Sequence, residues 1–343
     1  MVKVIDVEAH YFDEAYADYL RSRSVPPMEE SAPEGIKVWQ DPLSPGVFQY
    51  RGEFLERALL DVAEGRLRLM DEAGIDVQLL SLNVPGCEQL EPAEGARVAR
   101  EANDALAKIV ARHPDRFVGL TALGMADAEA SAAEIDRTVE EYGFKGIKIQ
   151  SHVGPYYLDD ERFMPVWERA AHHELPVLLH PMIPASSMID PYTGYGYALV
   201  GPGLGFGHEV SVMSQRLIYS GLFDKLPNLQ FVLGHLGEGL YFWMYRMDFD
   251  FTKKFLHESH RPTLQKLPSH YLRNNFHVSV SGNYLTSAFI ATQMEIGSDR
   301  LMFATDHPYE SLTHAMEWTK ALPLSPRDLD AILGDNAARL FKL

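Results

Sequence analysis

The sequence predicts an α/β fold, a (β/α)8 TIM-like barrel with long insertions after its first and fifth strands. Three observations carry this. Eight short apolar runs alternate with eight segments of helical periodicity along the 343 residues, each repeat being about 30–50 residues long, the pattern of a closed parallel barrel. Several of the runs stop abruptly at an acid or a histidine, as buried parallel strands do when they hand polar groups to one end of a sheet. No glycine-rich fingerprint follows the first run, which argues against an open dinucleotide-binding sheet.

In order, residues 3–10 form the first strand. Residues 21–52, rich in Pro, Ser and Glu, exceed the roughly 2–6 residues of an ordinary βα connection and read as an excursion over the barrel mouth, a lid or a surface insertion. Leu55, Leu59, Leu60, Val62, Leu67 and Met70 recur at helical spacing and predict one helix over 54–73, capped by Gly74. Strands follow at 77–82, 117–122 and 146–150, with helices at 93–112, 126–142 and 160–174. The fifth strand ends at His180. A second excursion, 181–207, carries Tyr192, Tyr195, Tyr197 and Phe206 among glycines and prolines, which suits either a wall for an aromatic ligand or a packed loop. A helix at 208–226, a strand ending at His235, a helix starting near Gly237, a strand at 276–281, a helix at 284–296, a strand through Asp306 and a helix at 326–340 complete the series. Nothing divides the chain, so residues 1–343 read as one domain.

Composition narrows the function. Hydrophobic residues are 46% and charged residues 23%, and the formal net charge is -17, with no basic run to meet nucleic acid. The single cysteine, Cys87, excludes an intramolecular disulfide and fits a reducing compartment. No secretory signal pattern precedes the first strand, and no apolar run approaches the ~20 residues that span a bilayer, so a cytoplasmic enzyme is expected.

The chemistry gathers at strand ends, where barrels of this class keep their active sites. Glu8 and His10 stand two apart on the first strand and share a face, the barrel interior, with Val7 and Ala9 alternating outward. His180, His235 and Asp306 end three further strands. Glu8, His10, His180 and Asp306 make a ligand set for one divalent ion, zinc or manganese, with no thiolate to bias the choice. Lys148 is mid-strand and stops short of the mouth, so one ion is expected rather than a bridged pair. His152 and His307 lie near the rim; His113, His172, His173, His257, His260, His270 and His314 fall away from strand ends and read as solvated.

With these residues in place, the chain resembles the amidohydrolase superfamily. Within it, the resemblance is to the metal-dependent non-oxidative decarboxylases that include γ-resorcylate, 5-carboxyvanillate and aminocarboxymuconate semialdehyde decarboxylases. Its segments are Glu8-Ala9-His10, His180-Pro181, the run from Leu233 to Gly239, the run from Phe303 to Tyr309, and the run from Gly334 to Phe341. Superfamily hydrolases usually open with His-x-His; here the first position is Glu8, as in the hydroxybenzoate enzymes. The resemblance implies a metal on Glu8, His10, His180 and Asp306, with His235 beside it as a catalytic group. It also implies Glu238 bonded to His235, Arg246 facing a small aromatic carboxylate, and a homodimer or homotetramer.

The resulting expectation is decarboxylation of a hydroxybenzoate-type acid, with Asp306 protonating the ipso carbon. The alternatives are a metal-dependent hydrolase of a lactone, amide or ester, in which Asp306 acts as general base, and a non-catalytic barrel.

Overall fold

The computed structural model describes residues 2–44, 46–253 and 262–343; His257 and His260 lie outside them. In chain order the elements begin β1 (Ile5–Tyr11), α1 (Glu14–Ser22), β2 (Met28–Ala32), β3 (Gly35–Trp39), β4 (Gln49–Arg51), α2 (Glu53–Leu60), α3 (Glu64–Ala73) and β5 (Val77–Leu82). They continue α4 (Pro92–Arg112), β6 (Phe117–Thr121), α5 (Ala128–Tyr142), β7 (Gly146–Gln150), β8 (His152–Val153), β9 (Tyr156–Tyr157), α6 (Met164–His172) and β10 (Val177–His180). The remainder are α7 (Tyr197–Val200), α8 (Gly205–Tyr219), α9 (Leu222–Lys225), β11 (Phe231–Leu233), α10 (Met244–Thr252), α11 (Pro268–Asn274), β12 (Phe276–Ser279), α12 (Thr286–Ile296), β13 (Leu301–Met302), α13 (Leu312–Ala321), α14 (Pro326–Asp330) and α15 (Asn336–Phe341).

Eight of the strands form one parallel sheet in the order β1-β5-β6-β7-β10-β11-β12-β13. The sheet closes on itself because the chain beyond β13 runs beside β1. Val7 N donates to Phe303 O at 3.2 Å, Asp306 N to Glu8 O at 2.9 Å, and His10 N to His307 O at 2.8 Å. The (β/α)8 barrel is therefore the observed architecture.

Strand alternation sorts the core into two layers. Val177, Leu179, Phe231, Leu233, Leu301 and Phe303 belong to the large cluster between sheet and helices. Leu178, Val232, Met302 and Ala304 join Ile5, Val77, Leu79 and Leu120 in a smaller inner cluster, with Ala337 and Phe341 of α15 packed onto it. Val7 departs from the sequence reading. It packs in this inner cluster, because the β1–β5 register shifts between Asp6 and Ala9, so that both Val7 and Glu8 turn inward. Ala9 lies in the outer cluster as expected.

Further elements differ from the sequence reading: α1 and α13 stand where no helix was expected, and the expected helix over 208–226 is two, α8 and α9. The expected helix over 54–73 is two helices, α2 and α3, broken at 61–63. There the Asp61 carboxylate accepts from Ala63 N and folds over Gly65, where a Cβ would stand 1.8 Å from Asp61 Oδ2. The first excursion contains an antiparallel sheet, β2-β3-β4. The chain after His235 does not enter a helix at Gly237: Leu236, Gly237, Glu238 and Gly239 all hold positive φ, and regular helix begins at Met244.

The two excursions meet each other. Met182, Ile183, Ile189 and Val200 of the second pack with Val47 of the first, and Gln40 Nε2 donates to Tyr197 Oη at 2.9 Å. Among the described residues no helix is long and apolar enough to cross a membrane.

Candidate metal centre and active site

The register that turns Glu8 inward also brings it to His10, His180 and Asp306. One ligand atom from each of these four residues lies within 4.8 Å of the others. Glu8, His10 and His180 are buried, and Asp306 keeps a partly open edge.

Hydrogen bonds at the far side of each ligand fix what it presents to the centre. His180 Nδ1 lies 2.7 Å from Pro181 O, which can only accept, so the proton sits on Nδ1 and Nε2 keeps a free lone pair. Burial, with the Lys148 ammonium behind it, holds this imidazole well below its ordinary pKa and keeps it neutral. His10 is held through Nδ1 by Ser81 Oγ at 3.0 Å, leaving Nε2 toward Asp306 Oδ1 at 3.0 Å. Glu8 Oε2 accepts from Ser279 Oγ at 2.9 Å and Ser281 Oγ at 2.5 Å. Its other oxygen, Oε1, is buried without a hydrogen-bond partner. An ionised carboxylate oxygen left so is costly unless a cation completes it. Two imidazoles, two carboxyl groups and this orphaned oxygen fit one divalent ion of the zinc or manganese class.

His235 stands beside the cluster. Its Nδ1 lies 2.6 Å from Glu238 Oε1 and its Nε2 lies 3.5 Å from Asp306 Oδ2. Burial opposes charge on His235, but the carboxylates of Glu238, Asp306 and Glu8 outweigh it and hold the imidazole well above its ordinary value. For Asp306, burial pushes the carboxyl up, yet hydrogen bonds from His10 and His235 prevail and keep it well below the usual carboxylate range. The left-handed run from His235 to Gly239 brings Glu238 back onto the His235 ring. Gly282, at φ +61°, admits that ring, for a Cβ there would stand 2.7 Å from His235 Cδ2.

The other expected residues fall as follows. Arg246 lies on α10 with a 65% exposed side chain, 3.9 Å from Asp250, apart from the four-residue cluster. Tyr192 lines a cavity of about 710 Å3 that reaches His235, Glu238 and Asn283 and is also lined by Phe242 and Trp243. Tyr197 and Phe206 pack on the cluster around Met182, and Tyr195 is exposed. His152 bonds the Gly154 and Ile183 carbonyls, and His307 contributes its backbone oxygen to His10. Lys148 is buried, and its Nζ has no hydrogen-bond partner.

Sequence reasoning missed Ser81, Ser279 and Ser281, the hydroxyls that orient His10 and Glu8. Ser279 and Ser281 were legible as polar residues that, with His277, alternate with apolar ones along 276–281. It also missed the pairing of Tyr309 with Asn83. The Tyr309 ring stands 6.1 Å from the His10 ring, and its hydroxyl meets the Asn83 amide at 2.8 Å. Burial pushes that phenol up to about 12, so it remains protonated.

Comparison with known proteins yields consistent matches. The amidohydrolase family model matches residues 5–343. A γ-resorcylate decarboxylase of Polaromonas sp. is 40% identical over 301 residues, covering 84% of this chain and 90% of that one. The crystal structure of 5-carboxyvanillate decarboxylase from Sphingomonas paucimobilis superposes with a TM-score of 0.89 at 31% identity, covering 100% of both chains. That of a Polaromonas dihydroxybenzoic acid decarboxylase, with bound manganese and the inhibitor 2-nitroresorcinol, gives 0.85 at 34% identity, covering 100% of this chain and 98% of that one.

Proposed function

The chain belongs to the amidohydrolase family, and from that premise we propose that it is a carboxy-lyase, removing CO2 without oxidation from a hydroxylated aromatic carboxylic acid. The observation that carries the reading is the buried cluster of Glu8, His10, His180 and Asp306, with Glu8 Oε1 left for a cation. The similar proteins named above are decarboxylases, so the hydrolase alternative is not favoured. One divalent ion is expected, and manganese in the similar Polaromonas structure favours that metal over zinc.

Losing CO2 directly from an aromatic ring would leave a carbanion in the ring plane, where the π system cannot delocalise it. Protonation of the ipso carbon first removes that obstacle. A divalent ion held by Glu8, His10, His180 and Asp306 would supply a Lewis acid that makes the substrate's phenol more acidic. Asp306 takes the phenol proton and delivers it to the ipso carbon. The bond to the carboxylate then breaks, its electron pair restores the aromatic ring, and CO2 leaves. His235 hydrogen-bonds the phenolate or carboxylate from Nε2, while Glu238 fixes its orientation through Nδ1. Arg246, whose role rests on the family resemblance, would meet the substrate from the rim, where its side chain is 65% exposed.

The fold is read as one domain, with residues 21–52 and 181–207 covering the mouth. Phe242, Trp243, Tyr245 and Phe249 expose an aromatic strip next to the His235 cavity, which supports assembly as a homodimer or homotetramer. Sedimentation of the purified protein tests this, and a monomer at micromolar concentration contradicts it. The single buried thiol, Cys87, supports a reducing, cytoplasmic location.

The direct test of the activity is to incubate manganese-loaded protein with ortho- and para-hydroxybenzoates and, separately, with a lactone panel. Release of CO2 from at least one hydroxybenzoate is expected. Lactone hydrolysis with every benzoate unchanged would reverse the assignment.

A further inference from the structure

Arg66 is 1% exposed, yet among the described residues no carboxylate pairs with it. A buried guanidinium is normally neutralised or fully hydrogen-bonded, and this one serves backbone carbonyls instead. Its Nη2 donates to His10 O at 2.7 Å and to Ala58 O at 3.0 Å, and its Nε donates to Asp61 O at 3.0 Å. Nη1 is buried without a partner. The three carbonyls belong to two places. His10 is the metal-ligand end of β1; Ala58 and Asp61 form the end of α2, the helix entered directly from β4 of the first excursion. The break between α2 and α3 therefore turns carbonyls toward the arginine that an unbroken helix would have satisfied internally.

We propose that Arg66 is a positioning residue of the metal centre, yoking the end of β1 to the C-terminal end of α2 through the His10, Ala58 and Asp61 carbonyls. The inference rests on the reading that Glu8, His10, His180 and Asp306 hold an ion. His10 is gripped by its backbone on both sides, its N–H donating to His307 O at 2.8 Å and its carbonyl accepting from Arg66. Its ring is held separately by Ser81. Without the guanidinium, the last turn of backbone before the helix break loses its fixed point, and the His10 ring is free to drift from the other ligands. Two effects oppose here. A fixed cation near the site repels a divalent ion, so removing Arg66 would tighten binding if charge dominated. Loss of a group that orients a ligand loosens it, by roughly 10–100-fold for such outer contacts. The hydrogen-bond geometry favours the second.

The test is Mn2+ affinity of metal-stripped protein, by electron paramagnetic resonance of the free ion, for wild type, Arg66→Met, Arg66→Lys and the control Arg116→Met. Arg116 also donates to carbonyls, those of Ile75 and Asp76, but at the opposite end of β5. The expected result is a dissociation constant raised roughly 10–100-fold in Arg66→Met, raised less in Arg66→Lys, and unchanged in Arg116→Met, with far-ultraviolet circular dichroism of each variant as in wild type. Should Arg66→Met fail to fold, the Lys variant decides. Equal or tighter Mn2+ binding by a folded Arg66 variant overturns the proposal. Absence of Mn2+ binding by wild type overturns instead the metal-centre reading on which it rests.

Discussion

At the scale of single residues, the proposed reaction gives Asp306 two duties that pull against each other. It must be ionised to share a cation, and it must carry a proton to carbon. The bonds from His10 and His235 secure the first, keeping the carboxyl well below its ordinary value, so the proton it delivers has to arrive with the substrate. Asp306→Asn keeps the shape but cannot take that proton. Turnover should fall by about 10²–10⁴-fold, while metal analysis still finds bound ion; a variant above a tenth of the wild-type rate would contradict the role. Arg246 presents a different case, because its guanidinium is exposed on α10. If it meets the substrate carboxylate at the rim, Arg246→Ala raises KM with little change in kcat, and an unchanged KM removes Arg246 from the site.

At the scale of elements, the parts that were legible and those that were not differ for a physical reason. Strands buried on both faces carry near-unbroken apolar runs, so 177–180 and 231–233 stand out, and their terminal polar residues mark the site. Breaks made by one side chain leave no periodic trace. Leu60, Val62 and Leu67 keep helical spacing across 61–63, although Asp61 folds over Gly65 and ends the ladder there. The β2-β3-β4 sheet was hidden because it is short and mostly exposed or half-buried, lacking the alternation of a core strand. The left-handed run at 236–239 was hidden because Leu236 and Glu238 adopt a backbone that only its two glycines advertise. Gly282 is the matching turn across the cavity. Gly282→Ala should push the His235 ring away and strain the turn, cutting kcat by roughly tenfold or more while Mn2+ content stays near wild type. Full activity in that variant would show that the ring has room to move.

At the scale of the whole molecule, the barrel is polar at both ends for different purposes. The mouth gathers the candidate metal ligands Glu8, His10, His180 and Asp306. Toward the other end, His277 is buried and accepts at Nε2 from Arg300 at 2.9 Å. Burial, then the neighbouring Arg300 and Arg339, lowers its pKa from 6.5 to about 3. Between those values the unfolded chain binds a proton that the folded chain refuses. Stability therefore falls as pH drops from 6.5 toward 3, by about 1.4 kcal/mol per pH unit from this group. Urea unfolding of metal-free protein between pH 4 and 7 should show a shallower acid slope in His277→Gln than in wild type, and parallel slopes would contradict the burial of a neutral His277. The same arrangement explains why the site was readable from sequence while its support was not. The candidate ligands are rare residue types at strand ends, whereas Ser81 and Arg66 are ordinary residues whose purpose appears only when the barrel closes.

The most direct test of the central claim joins metal and carbon chemistry in one tube. Protein stripped by chelator, and the same protein reloaded with Mn2+, are incubated in D2O with 2,6-dihydroxybenzoate and related hydroxybenzoates. The account predicts CO2 and a phenol bearing one deuterium at the vacated ring carbon from the reloaded sample, and neither from the stripped one. Equal CO2 release with and without the ion, or none from any hydroxybenzoate by fully loaded protein, would contradict it.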